Sequence, residues 1–176
     1  MFRTKIITAK TKNMEEVKKL YNDSFPADER IPWNRLLGSF SEERIMKAYY
    51  EEDRFIGLTC VFLHGNLVYL SYLAVIPELR NQGYGSKLLR QLQQEYPESP
   101  FVIDIEEARK DADNYDERVR RRDFYIHNGY ETTGVFYRFF HVDYELLSFN
   151  GPVTKDMFHA LIRKHWGMIA ETAVYR

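Results

Sequence analysis

Apolar residues follow two spacings along this chain, and the switches between them mark its elements. Phe2 to Thr8 looks like a short strand. Asn13 then stands where a helix would be capped, and Met14, Val17, Leu20 and Tyr21 give that helix one inward stripe. The stretch from Asp23 to Trp33 carries two prolines and reads as a defined loop, with Pro32 opening a second short helix through Leu37. Three strand-like runs follow as a meander. They are Arg44 to Glu51, Arg54 to His64 across Glu52-Asp53, and Leu67 to Val75 across Gly65-Asn66. The last run is almost free of charge and rich in β-formers, as a buried central strand should be. Pro77 ends it, having no N–H for a ladder.

The period then becomes helical. Leu88, Leu89, Leu92 and Tyr96 form one stripe, with Lys87, Arg90, Gln91 and Gln94 expected to face away. Phe101 to Ile105 is a compact strand, predicted parallel to the strand at Leu67 because a helix crosses between them. Asn114 with Glu117 resembles a capping box at the start of a further helix, and Gly129 suits its end. Tyr130 to Tyr137 and Phe139 to Leu147 read as two more strands. Thr154 caps a last amphipathic helix bearing Met157, Phe158, Leu161, Ile162 and Trp166. No internal repeat or low-complexity linker interrupts this order.

At 176 residues the chain has the length of one domain with a substantial core. Its 44% hydrophobic and 29% charged residues are ordinary for a globular protein. A net charge of −1 leaves no electrostatic footprint for nucleic acid, so none is expected as a partner. No apolar run approaches the roughly 20 residues of a membrane span, and Met-Phe-Arg-Thr-Lys has no apolar signal core, so a cytoplasmic location is the expectation. Cys60 has no second cysteine to pair with. His159 and His165, six apart, match no metal motif, and no metal is expected.

The stretch between the buried strand and the helix is where chemistry enters. Gly83 and Gly85 open a helix whose first turn leaves about four N–H groups unpaired, with roughly half a positive charge from the macrodipole. Arg80 adds a full charge, and a glycine lets a ligand approach the backbone. An anion, such as a phosphate or pyrophosphate, suits this place. Two known phosphate loops fail on spacing. G-x-G-x-x-G/A would need a small residue where Leu88 stands, and G-x-x-x-x-G-K-[ST] would need glycine at Arg80 and lysine at Ser86. A tight turn without a ligand is the bland alternative.

What fits is R-x-x-G-x-G, here Arg80-Asn81-Gln82-Gly83-Tyr84-Gly85 after Leu73-Ala74-Val75-Ile76-Pro77. It resembles the acetyl-CoA signature of the GNAT superfamily of N-acetyltransferases. The resemblance implies that the loop from Arg80 through Ser86 holds the CoA pyrophosphate, and that Leu73, Ala74 and Val75 pair with the pantetheine arm through their backbone. It also implies a mixed α/β (α+β) fold: a largely antiparallel sheet, helices on both faces and a parallel strand pair beside the loop. The order of elements agrees over about residues 1 to 147, within a single domain 1–176. Residues 148 to 176 form an extension, a candidate lid or homodimer element.

A second passage, Phe124-Tyr125-Ile126-His127-Asn128-Gly129-Tyr130, resembles the F-Y-x-x-x-G-F/Y helix ending of the family. Carried over, it makes Tyr125 the candidate acid that protonates the departing thiolate, a reasonable role for a phenol with a pKa near 10. A core aromatic is the alternative. Many relatives carry a glutamate four residues before the position of Leu73; this chain has Tyr69 there. Glu106 is the first substitute base and Asp104 the second, each weighed against a solvated carboxylate. Glu29, Arg30 and Trp33 lie in the loop where relatives bind the acceptor, and an acidic group near an aromatic would suit a cationic amine. A loop-fixing Arg–Glu pair is equally consistent. The expected activity is acetyl transfer from acetyl-CoA to an amine on a small molecule or peptide. A non-catalytic acyl-CoA-binding module is the rival, and the acceptor's identity is not encoded here.

Overall fold

The computed structural model describes residues 1–12, 14–27 and 30–176; Asn13, with the helix cap read there, lies outside them. The elements run β1 (Arg3–Ile7), α1 (Glu15–Ser24), α2 (Trp33–Leu37), β2 (Arg44–Glu51), β3 (Arg54–His64) and β4 (Leu67–Val75). They continue as α3 (Tyr84–Glu95), β5 (Phe101–Glu106), α4 (Tyr115–His127), β6 (Glu131–Phe139), β7 (Val142–Phe149), α5 (Lys155–Trp166) and β8 (Val174–Tyr175). Short 3-10 turns fill Pro77–Leu79 and Gly167–Thr172. The strand order is β1-β2-β3-β4-β5-β7-β6-β8, mostly antiparallel with one parallel pair, β4 with β5. This is the mixed α/β class that the sequence predicts.

Two compact units share this order. The first comprises Met1–Phe62 and Leu70–Pro97. Its core gathers Tyr49, Ile56, Val75, Leu79 and Leu88, with Phe2, Leu73, Ile76 and Tyr84 packed against them. One cluster therefore fixes the end of β4, the turn after it and the first turns of α3. Gln91 departs from expectation. It is buried, because its amide accepts from the Phe2 N–H at 2.7 Å and donates to the Phe2 carbonyl at 2.9 Å, which tethers the start of β1.

The second unit comprises Leu63–Tyr69 and Glu98–Arg176. Val68 and Tyr69 pair in parallel with Phe101 and Val102, and β5 then pairs with β7 from Phe101↔Phe149 to Glu106↔Tyr144. Thr154 caps α5 as predicted, its hydroxyl accepting from the Met157 N–H at 3.3 Å. Gly129 takes φ +85, the left-handed conformation a helix end favours in glycine. The capping box at Asn114 does not form. Its side-chain oxygen accepts instead from Arg118 Nε at 2.7 Å, because that guanidinium is held in place by the Glu107 carbonyl. The β6–β7 turn also falls later than predicted. Phe140 occupies it with φ +52, so an apolar pair that reads as strand is partly turn. Strand β8 was not expected. Two residues are too few to leave a period.

Candidate active site

In the first unit, Val75 and Leu79 are buried while Arg80, Asn81, Gln82 and Gly83 are exposed, so the core ends where the loop begins. Asn81 and Gly83 take φ +59 and +78. The turn needs left-handed backbone at both, and glycine meets that need without strain. Among the described residues, no hydrogen-bond acceptor faces any backbone N–H from Asn81 through Ser86; the helical ladder starts with Lys87 N–H to the Gly83 carbonyl at 3.1 Å. Consecutive unpaired N–H groups at a helix start form a concavity suited to an anion. The side chains turn elsewhere. Arg80 Nε donates to the Val75 carbonyl at 3.1 Å, Gln82 to the Glu78 carbonyl at 2.7 Å, and the Tyr84 hydroxyl to Glu51 at 2.8 Å. Arg80 thus closes the turn from strand to loop, and the free donors are backbone.

Leu73, Ala74 and Val75 form the end of β4. The sequence reading missed Gly57 on β3, where a Cβ would collide with the Ala74 carbonyl oxygen. A glycine inside a strand pattern signals such a close backbone approach.

The loop after α1 is more structural than its composition suggests. Glu29 lies outside the described residues. Arg30 donates to the carbonyls of Asn22 and Phe25, at 3.1 and 2.6 Å, and so caps the end of α1. Trp33 is 8% exposed and packs on Tyr21, which meets Phe25 and Tyr72 in turn. Trp33→Ala should therefore cost about 3–5 kcal/mol of stability, as large aromatic truncations in cores do, and chemical denaturation would read it. A loss under about 1 kcal/mol would mean that the ring is not a core element.

The second unit holds the carboxylates. Glu106 is buried between Arg118 and Arg121, at 2.7 and 2.8 Å, tying β5 to α4. Glu145 is buried against Arg122 at 2.9 Å, and Asp143 against Arg138 at 2.7 Å and Arg109 at 3.2 Å. Asp104 differs from all three. No cation pairs with it among the described residues. Its Oδ1 accepts from the Tyr69 hydroxyl at 2.7 Å and its Oδ2 from the Tyr137 hydroxyl at 2.6 Å. Burial pushes its carboxyl above the usual range, and the two phenols only partly offset that. Part of the residue stays accessible. Tyr69, which stands where a carboxylate was looked for, instead holds one on the neighbouring strand.

Tyr125 is 9% exposed, meets Phe124 and Tyr130 edge-on, and has no hydrogen-bond partner for its hydroxyl among the described residues. Burial pushes its pKa up to about 12, with the Asp104 charge adding and Arg121 opposing. It is a neutral donor across the physiological range.

Residues 14–125 match the Acetyltransferase (GNAT) family. The chain belongs to that family. It is thereby an acyltransferase by family. Solved structures carry the same fold. One is a GNAT-family protein from Bacteroides thetaiotaomicron, 19% identical with TM-score 0.74, covering 96% of this chain and 98% of its own. Another is the ribosomal-protein-S18-alanine N-acetyltransferase of Escherichia coli, 13% identical with TM-score 0.62, covering 88% and 97%. A third is a Bacillus subtilis acetyltransferase in complex with CoA, 12% identical with TM-score 0.61, covering 85% and 98%. A search of curated proteins finds no match.

Membership of the GNAT family does not by itself assign this chain's carboxylates. Sequence reasoning ranked Glu106 first because it follows the strand, and nothing local reveals that two arginines a helix away neutralise it. Tyr137 was not singled out at all. Its only signal is a tyrosine in a strand pattern, common in any sheet. No described helix is long and apolar enough to cross a membrane, and the described residues contain no group of three His, Cys, Asp or Glu that could hold a metal.

Proposed function

We propose that this chain is an acetyl-CoA-dependent N-acetyltransferase in which an acceptor primary amine attacks directly, Asp104 taking the amine's proton and Tyr125 protecting the leaving sulfur by proton donation. Acetyl-CoA supplies the acetyl group as a thioester and leaves as a thiol. The loop from Arg80 through Ser86 binds its pyrophosphate through backbone N–H groups, Tyr84 and Gly85 beginning the helix whose dipole favours the charge. Leu73, Ala74 and Val75 orient the pantetheine arm through backbone groups, and the Arg30 cap and Trp33 packing shape the acceptor loop.

The observation that carries this reading is Asp104. It is the enclosed carboxylate held by two phenols and no guanidinium, with its proton affinity raised. Glu106, by contrast, carries a guanidinium on each oxygen. The acceptor is thus a basic amine, whose ammonium a lone carboxylate attracts and then deprotonates. The Escherichia coli relative is named for acetylation of an alanine, in keeping with an amine acceptor.

Thiol release from acetyl-CoA across a panel of primary amines tests the activity; no release with any amine would remove the reading. The cofactor loop has its own test. Gly83 is needed for its φ, so replacing it confounds folding with binding. Gly85→Val is cleaner. It should weaken CoA at least tenfold, about 1.4 kcal/mol, by calorimetry on a protein that still folds. Unchanged affinity would place the pyrophosphate elsewhere.

A further inference from the structure

Strand β8 lies at the sheet edge beside β6, with Tyr175 opposite Tyr137 and Val174 opposite Arg138. The Phe136 N–H donates to the Arg176 carbonyl at 3.2 Å, and the Arg176 N–H to the Phe136 carbonyl at 2.9 Å. This register stacks the Tyr175 ring on Tyr137, 5.6 Å between centroids and 27° between planes. The opposite face of Tyr137 carries Tyr144 at 5.3 Å and 23°, the residue it faces across the β6–β7 ladder. Three tyrosines from three strands thus form one stack, and the middle ring is the one whose hydroxyl holds Asp104. Tyr175 is itself anchored. Its hydroxyl lies 3.2 Å from His159 Nδ1 on α5, and Lys155 sits 5.7 Å over its ring.

We infer that Tyr175 is a positioning residue for Asp104: by stacking on Tyr137 it completes the enclosure of the carboxylate and fixes the phenol that bonds it. This inference rests on Asp104 being the base, but its test does not. The enclosure has few contributors. Tyr69 of β4 holds the other oxygen and is flanked edge-on by Phe158 at 5.4 Å and by Trp166 at 6.2 Å. The titratable groups around the carboxylate are the phenols of Tyr69, Tyr125, Tyr137 and Tyr175, with Arg121 acting on Tyr125. Glu171 and Asp156 also act on Tyr175, and His159, at its hydroxyl, lies 3.7 Å from Glu171. The Asp104 charge is felt at Tyr175, which places the two groups within electrostatic reach.

Two opposing effects give the test its sign. Enclosure raises the carboxyl's proton affinity and the Tyr137 bond lowers it, enclosure being the larger. Tyr175→Ala opens the site to water, so the Asp104 titration midpoint moves down toward the ordinary carboxylate range. Tyr137→Phe removes a bond to the charged form and moves it up. Tyr175→Phe keeps the ring and restores the wild-type midpoint. The measurement is carbon-13 NMR of labelled aspartate carboxyls across pH in the ligand-free protein, with the Asp104 signal identified by its loss in Asp104→Asn.

Arg176→Pro removes the N–H donated to Phe136, detaching β8 with Tyr175 intact, and carries the test if Tyr175→Ala does not fold. It should give the same downward shift. An unchanged Asp104 midpoint in folded Tyr175→Ala and Arg176→Pro proteins overturns the inference, as does failure of Tyr175→Phe to restore it. Midpoints that shift as expected, in a protein whose Asp104→Asn variant transfers acetyl at the wild-type rate, uphold the enclosure and remove Asp104 as the base.

Discussion

Asp104→Asn should lower kcat by about 10²–10⁴-fold, the usual contribution of a placed base, while making the protein more stable at neutral pH. The two effects have one origin. The carboxyl's pKa is raised in the folded protein by burial, above an unfolded value of about 3.9. Between those two values the folded state binds more protons than the unfolded state, so stability falls as pH rises through the window. Above that window the ionised carboxylate is a net cost, carried without a cation among the described residues. Asparagine removes that cost, and its amide can still bond the phenols of Tyr69 and Tyr137. Thermal melting should therefore show Asp104→Asn above wild type at pH 7, the gap closing in acid below the unfolded value. Glu106→Gln is the contrasting case. It strips charge from between two guanidiniums, so its principal effect should be lost stability. If Asp104→Asn keeps half the wild-type kcat while Glu106→Gln abolishes turnover in a folded protein, the base is Glu106 and the ion pairs must open during turnover.

The parts of this protein that sequence reading located are those whose physics is local. The glycine loop is legible because its left-handed positions, its helix start and the strand before it lie within one short run. The strands of the meander are legible because their periods are long and their turns carry glycine or charge. What escaped depends on partners distant in sequence. Tyr137 reaches Asp104 from β6 although β7 lies between β6 and β5, so the contact exists only once the strand order is known. Gln91 reads as a solvent-facing polar residue and Arg30 as an acceptor-side or loop-fixing charge, yet they serve backbone groups of Phe2, Asn22 and Phe25. A pattern of apolar positions carries no information about such bonds, because the acceptor is backbone and has no identity in the sequence. The same holds for Glu106. Its arginines sit one turn apart on α4, at Arg118 and Arg121, and three-residue helical spacing brings both guanidiniums to one carboxylate.

Tyr125→Phe should lower kcat by about 10²–10⁴-fold with little change in stability or in CoA affinity. The hydroxyl has no partner among the described residues, so its removal leaves no buried group orphaned, and the ring keeps its edge contacts with Phe124 and Tyr130. A proton donor acts only as the sulfur departs, so the loss falls on kcat and kcat/KM together while the binding of CoA persists. With its pKa near 12 the phenol stays protonated through neutral and mildly alkaline conditions. The wild-type rate should accordingly hold flat to about pH 10, two units below that value, where about 1% of the phenol is ionised. An acid of ordinary phenol pKa would already be half lost at pH 10. A second signature comes from the leaving group. Acyl donors whose thiol is more acidic need less help, so an aryl thioester should recover much of the rate in Tyr125→Phe, and acetyl-CoA should not. Equal losses for both thioesters, or retention of more than half the wild-type kcat with acetyl-CoA, would make Tyr125 a packing residue and leave water to protonate the sulfur.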